Sequence, residues 1–277
     1  MKGPAGAAYA GEELNLSPFP GFPNQLPGDF GQVRRFGNFI NSNYESLQVS
    51  LRRRVSKGVT LDANYTYAHE TDDAVNILTE AYQNSHNPRL DYASGDIDVR
   101  HNFTLGAVWD IPVASSLPKR LAAGWQISTL LQARGGLPYN IAVAPPFLGA
   151  DQIRPNLTGQ PLSFPGANTP GYPGHPQINP AAFAAPPNGQ YGDLGRNTGR
   201  GPGFTQWDMS FAKTTSINER LSVQFRGELF NILNHPNFAN PDGNLSDATF
   251  GISTSTIANH VGTGTSRQAQ LVLKFLF

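Results

Sequence analysis

Apolar and polar residues alternate with a period of two over long stretches of this chain, the mark of strands with two unlike faces. Residues 44–55 set Leu47, Val49, Leu51 and Val55 against Ser46, Gln48, Ser50, Arg52 and Arg54. Ser56-Lys57-Gly58 predicts a tight turn. Residues 59–67 return with Val59, Leu61, Ala63, Tyr65 and Tyr67 opposite Thr60, Asp62, Asn64 and Thr66. The same pattern predicts strands over 99–111 (Phe103, Leu105, Ala107, Trp109, Ile111), 124–134 (Trp125, Ile127, Leu131) and 206–213 (Trp207, Met209, Phe211). It returns over 221–230 (Leu221, Val223, Phe225, Leu229) and 267–277 (Ala269, Leu271, Leu273, Phe275, Phe277).

Strands of roughly ten residues exceed the globular norm of about 5–6. They match the span of about 9–11 that a tilted strand needs to cross a bilayer. The connections at 56–58, 112–123 and 214–220 are short, whereas those at 68–98, 135–205 and 231–266 are long and rich in Gly, Pro and Asn. That asymmetry predicts an all-β fold: an antiparallel transmembrane β-barrel segment of about 7–8 long strands, with long extracellular loops and short periplasmic turns. So few strands only just close the narrowest barrel, so the expected object is one arc of a larger wall over 31–277. Residues 1–30, dense in Pro and Gly, read as an irregular N-terminal segment, and 31–40 as the end of a preceding strand. A short helix is expected over 72–83, with Asp72 and Asp73 at its start.

Composition narrows the chemistry. The 20 basic and 20 acidic residues cancel, so nothing suggests a nucleic-acid partner. Charged residues make up only 14%, against about 25% in ordinary soluble domains. Mean hydropathy is −0.34, so Ser, Thr, Asn and Gln supply the polarity. There is no cysteine, hence no disulfide, thiolate site or Cys nucleophile. Tyr65, Tyr67, Trp109, Trp125 and Trp207, near strand ends, suit the membrane interface. Arg52, Arg54, Asp62, Arg100, Arg226 and Glu228 share the polar parity and are expected to face the lumen, with Asp96 and Asp98 beside Arg100. A charge on the lipid face costs about 2–4 kcal/mol.

Other clusters read as ordinary surface. His69, Glu70, Asp72 and Asp73 hold ligand-type atoms, but a solvated loop explains them. The stretch GRNTGRGPG, with Arg196 and Arg200, lacks the ending of a phosphate loop. His235 precedes Pro236 without a Ser or Asp partner, so it is read as a turn residue. The Asn-X-Ser/Thr triplets at Asn64, Asn102 and Asn156 are given no glycan meaning, because a barrel of this pattern is expected in a bacterial envelope. No constellation supports an enzyme, a cofactor or a metal.

An ordered set of segments carries a family resemblance. NSNYESLQVSL (41–51), DVRHNFTLG (98–106), GWQIS (124–128), GGLPYNI (135–141), RPNLTG (154–159) and INPAAFAAPP (178–187) are followed by GRNTGRGPG (195–203), QWDMSFAK (206–213), QFRGELFNILNHPNF (224–238) and a terminal LVLKFLF. Together they resemble the C-terminal barrel of Oar-like TonB-dependent receptors, an acidobacterial type with a carboxypeptidase-regulatory-like domain. The resemblance implies outer-membrane binding or uptake of a small-molecule or oligomeric substrate, energised by TonB through a plug and TonB box lying upstream. It implies outer-membrane lipid and the barrel-assembly machinery as partners, the latter reading Leu271, Leu273, Phe275 and Phe277. The alternatives are a soluble β-sandwich that binds carbohydrate and a surface or adhesion barrel that transports nothing.

Overall fold

The computed structural model describes residues 40–55, 58–73, 82–84, 87–113, 118, 122–143, 153–168, 176–187, 190–257 and 266–277. Seven long strands dominate: β1 (Ser42–Val55), β2 (Val59–Asp72), β3 (His101–Asp110), β4 (Trp125–Arg134), β5 (Phe204–Ser216), β6 (Ser222–Phe230) and β7 (Gln268–Leu276). They form one antiparallel meander in chain order, with the pair Ala93–Ser94 added beside β2. Among the described residues the sheet is open, and β1 and β7 are its edges. The described residues include two short 3-10 turns, Pro88–Asp91 and Pro180–Ala182.

Cross-strand register keeps the predicted faces intact over the whole sheet. Leu51, Ala63, Leu105, Leu131 and Trp207 form one continuous row of partners. Ser50, Asn64, Thr104, Gln132 and Gln206 form the next row, on the opposite face. A slip of one residue at any pairing would have exchanged the faces. From β2 to β6 each strand is also set back along its neighbour, toward the short turns, by one to three residues.

Among the described residues nothing forms a second layer on the apolar face. Leu47, Leu51, Trp109, Trp125, Phe211 and Leu273 are all exposed there, and Leu271 is 74% exposed. Such an expanse is not left to water by a soluble domain, so the sandwich reading does not fit. Charged or titratable groups on this face sit at strand ends. Lys213 lies 5.4 Å from the ring centre of Trp125, and its ammonium donates to the Ala123 carbonyl. His101 shares a 2.8 Å hydrogen bond with the Tyr65 hydroxyl. Both arrangements let a polar tip reach out of an apolar belt.

At the short-turn end the chain must reverse tightly. Gly124 has φ of +80°, and a Cβ there would run into the Thr214 carbonyl. A glycine satisfies both demands. At the long-connection end the intervening segments fold into a head, built on three small ladders. Pro138–Tyr139 pairs with Gly199–Arg200, Asn156–Leu157 with Phe183–Ala184, and Ser163–Asn168 with Pro176–Ile178. Its core has two clusters, Val143–Ile153–Tyr191 and Tyr139–Ile141–Ala182–Phe183–Leu194, and Leu245 packs against both.

Two expectations are corrected. β2 runs to Asp72, five residues past its predicted end, because His69–Asp72 pair with the start of β1 and Thr71–Asp72 also with Ala93–Ser94. Asp72 therefore closes a strand instead of opening a helix, and Asp73, Tyr82 and Gln83 are not helical. Residues 74–81 of the predicted helix, residues 1–30 and all of the strand end expected over 31–40 except Ile40, which is not in a strand, lie outside the described residues.

Candidate functional site at the loop end of the sheet

The polar face is a shallow, hydrogen-bonded surface. Arg52 pairs with Asp62 across β1 and β2 at 2.7 Å, and Asn64 donates to the same carboxylate at 2.6 Å. Ser50 donates to Asn64 at 2.7 Å. Arg226 and Glu228 pair along β6 at 3.1 Å, and Gln126 donates to Asp110 at 2.8 Å. Thr60, Asp62, Ser128, Asp208, Ser210 and Glu228 help line a hollow of about 480 Å³ in this face. Arg54 also carries the polar parity, opposite Thr60.

Toward the loop end this face is covered. Ala68, Asp72, Phe204 and Gln206 all share its parity and are all buried. What covers them is the head, held down by ion pairs that are themselves buried. Arg196, almost wholly buried, donates to the Asp72 carboxylate and, at 2.9 Å, to the Asp91 carbonyl. Arg154 pairs with Asp91, whose side chain is fully buried. Asp98, also fully buried, receives Arg200, Arg100 at 3.0 Å and the Glu70 amide at 2.9 Å, with His69 at 3.4 Å. Burial alone would raise the Asp98 carboxyl. The hydrogen bonds from Arg200, the Glu70 amide and Arg100 outweigh it and hold the group well below the usual carboxylate range.

Asparagines complete the fastening. Asn197, at φ +53°, donates to the Ser94 carbonyl at 2.8 Å and to Asp96 at 2.7 Å, while its amide reaches Asn140. Asn237 brackets the start of β5, accepting from the Thr205 amide and donating to its carbonyl. Asn231, at φ +48°, grips both backbone groups of His235. Short amide side chains tolerate the left-handed region and substitute for missing backbone partners. Segments far apart in sequence, among them 87–100, 153–168, 190–203 and 231–257, thus join one structure over the sheet's end.

The structure separates some expected residues and unites others. Arg52, Arg54, Asp62, Arg226 and Glu228 lie on the polar face, but Arg100 leaves the wall for the Asp98 cluster, where its guanidinium also meets His69 at 3.3 Å. His69, Glu70, Asp72 and Asp73 do not gather into one ligand set: His69 faces Asp98 and Arg100, the Glu70 and Asp72 carboxyls meet each other beside Gly95 while Asp72 also takes Arg196, and Asp73 accepts from the Asn41 amide at 2.6 Å. Among the described residues no group of His, Cys, Asp or Glu is arranged to hold a metal ion. Tyr65, Tyr67, Trp109 and Trp125 lie exposed on the apolar face; Trp207 is half-buried there and donates to Thr129 at 2.6 Å. Leu271, Leu273, Phe275 and Phe277 are exposed along the β7 edge. Pattern reading misses Asp91, Arg154, Asn197, Asn231 and Asn237. Arg154 and Asn237 each carry one signal, an adjoining proline; Asp91, Asn197 and Asn231 carry none.

A family model described as an outer membrane beta barrel domain matches residues 3–270. No curated protein and no solved structure matches the chain.

Proposed function

Because the chain belongs to the outer membrane beta barrel domain family and lies in the bacterial outer membrane, we propose that it serves there as part of a receptor and transporter wall, of the TonB-dependent, Oar-like type, that binds a solute at its head. The observation that carries this reading is the head itself. Long connections gather at one end of the sheet only, and buried ion pairs fix them over the polar face. A mobile fringe would serve a merely structural barrel equally well; a fixed, shaped mouth supplies the preorganisation that recognition needs. In this reading the long connections face outside, the short turns face the periplasm, and the apolar face meets lipid. The ordered motifs from 41–51 to the terminal LVLKFLF support the Oar-like assignment. The terminal strand then carries the residues that the barrel-assembly machinery engages.

The test compares wild-type cells with a deletion of the gene, following solute depletion from a defined mixture by mass spectrometry. At least one solute should vanish more slowly from the deletion culture, and a protonophore should abolish the difference. Equal depletion of every solute, with adhesion to surfaces lost instead, would replace transport with a surface-attachment role.

A further inference from the structure

The head contains a second feature that neither the ion pairs nor the polar face explains. Between the ladder 138–139/199–200 and the paired strands 163–168 and 176–178 lies a cavity of about 370 Å³, inside the range of about 300–1,000 Å³ typical of small-molecule sites. Its walls are Tyr139, Ile141, Leu162, Ile178, Phe183 and Leu194, closed on one side by the backbone of 198–201. The wall is set by backbone contacts. Gly199 stacks so closely on Tyr139 that a Cβ would fall 2.5 Å from the ring. Phe183 is fixed edge-on against Phe250 at 5.9 Å. Ser163 is held by its register with Ile178, and the Asn179 amide donates to the Leu162 carbonyl at 3.0 Å.

The charges at this site are already balanced. Arg200 lines the cavity, but its guanidinium is committed to Asp98, with Ser94 at 3.1 Å. Burial pushes the Tyr139 phenol upward, so it stays neutral. A chamber whose described lining is apolar and offers no free charge selects against ions, whose desolvation it does not repay. The geometry points to a binding site for an uncharged aromatic group of one or two rings, entering beside Leu162 and Thr198 at the outer surface of the head. This assignment concerns binding alone, so it stands or falls separately from passage across the membrane.

The absence of cysteine makes the test clean. Ser163→Cys puts a single, near-isosteric thiol on the half-buried wall. Outer-membrane vesicles from cells producing this variant are treated with a maleimide, and the labelling rate of the recovered protein is read by mass. Indole at ten times its half-saturating concentration should slow labelling about tenfold by occupancy alone, and benzoate should protect far less. Adding Thr198→Trp, at an exposed position on the rim, should cut the basal labelling rate and remove the indole effect. Heat-modifiable gel migration confirms that both variants are folded. Labelling indifferent to indole, or indole protection that survives Thr198→Trp, overturns the site. Stronger protection by benzoate overturns the neutral-ring assignment and makes Arg200 an anion anchor.

Discussion

The wall and the head are built from one chain by opposite means. In the wall beyond the head's cover, a residue's face follows from its parity, and each pairing repeats the last. Its polar side chains pair at the surface, as with Arg52, whose side chain is 83% exposed. In the head nothing repeats. Its main ion pairs are buried and join residues distant in sequence, as Arg196 joins Asp72. The contrast teaches where stability resides. A wall in lipid is held by backbone pairing that lipid cannot replace, and it tolerates the loss of single side-chain pairs. A head without regular structure depends on a few buried pairs whose halves cannot be left alone.

The largest effect is expected inside the head. Asp98→Ala strands Arg200 and Arg100 and should destabilise the head by about 3–5 kcal/mol. Hydrogen exchange should then rise at 94–100 and 196–201 while the wall amides stay protected. If the wall opened in step with the head, the two regions would be one cooperative unit. Acid should act through the same residue. The native Asp98 carboxyl lies below its unfolded value of 3.8, so its contribution is complete above that value and is lost as pH falls toward the native one. Head protection should persist down to about pH 4 and decline below it. Asp98→Asn should remove that acid limb.

The next effect tests the faces. Leu131→Arg, in the middle of the apolar rows, should cost about 2–4 kcal/mol in a lipid-based unfolding titration. Gln132→Arg, one residue away on the polar face, should change stability by only about 0.5 kcal/mol or less. Equal costs would dissolve the distinction between the faces. Asn231→Ala should cost about 1–3 kcal/mol by leaving the His235 backbone groups unmatched, detectable as faster proteolysis at 231–237. The smallest effect belongs to Arg52→Gln, which should leave the unfolding midpoint unchanged despite the 2.7 Å pair with Asp62.

The same contrast decides how much of the molecule is legible in its amino-acid sequence. The seven strands can be read because Leu51, Ala63, Leu105, Leu131 and Trp207 obey a local rule that needs no knowledge of partners. The end of β2 cannot, because His69-Glu70-Thr71-Asp72 carries no alternation and is drawn into the sheet by distant neighbours. Parity alone assigns Arg100 to the wall, although Asp98 and His69 hold it at the head. The head's fastening pairs join residues 63 to 124 positions apart, such as Asp91 with Arg154 and Asp72 with Arg196. No local pattern encodes such pairs. GRNTGRGPG stands out as a unit by its composition, yet its role as the clasp over Asp72 and Asp98 is visible only in the fold.

One consequence of the open meander concerns counting. Seven consecutive antiparallel strands leave β1 and β7 pointing the same way. If those two edges met, they would form a single parallel seam in an otherwise antiparallel ring. A seamless antiparallel ring therefore requires an odd number of additional strands between them, the one next to β1 rising toward the head. The same arithmetic bars a ring made solely of copies of this seven-strand unit, since every junction between copies would repeat the mismatch.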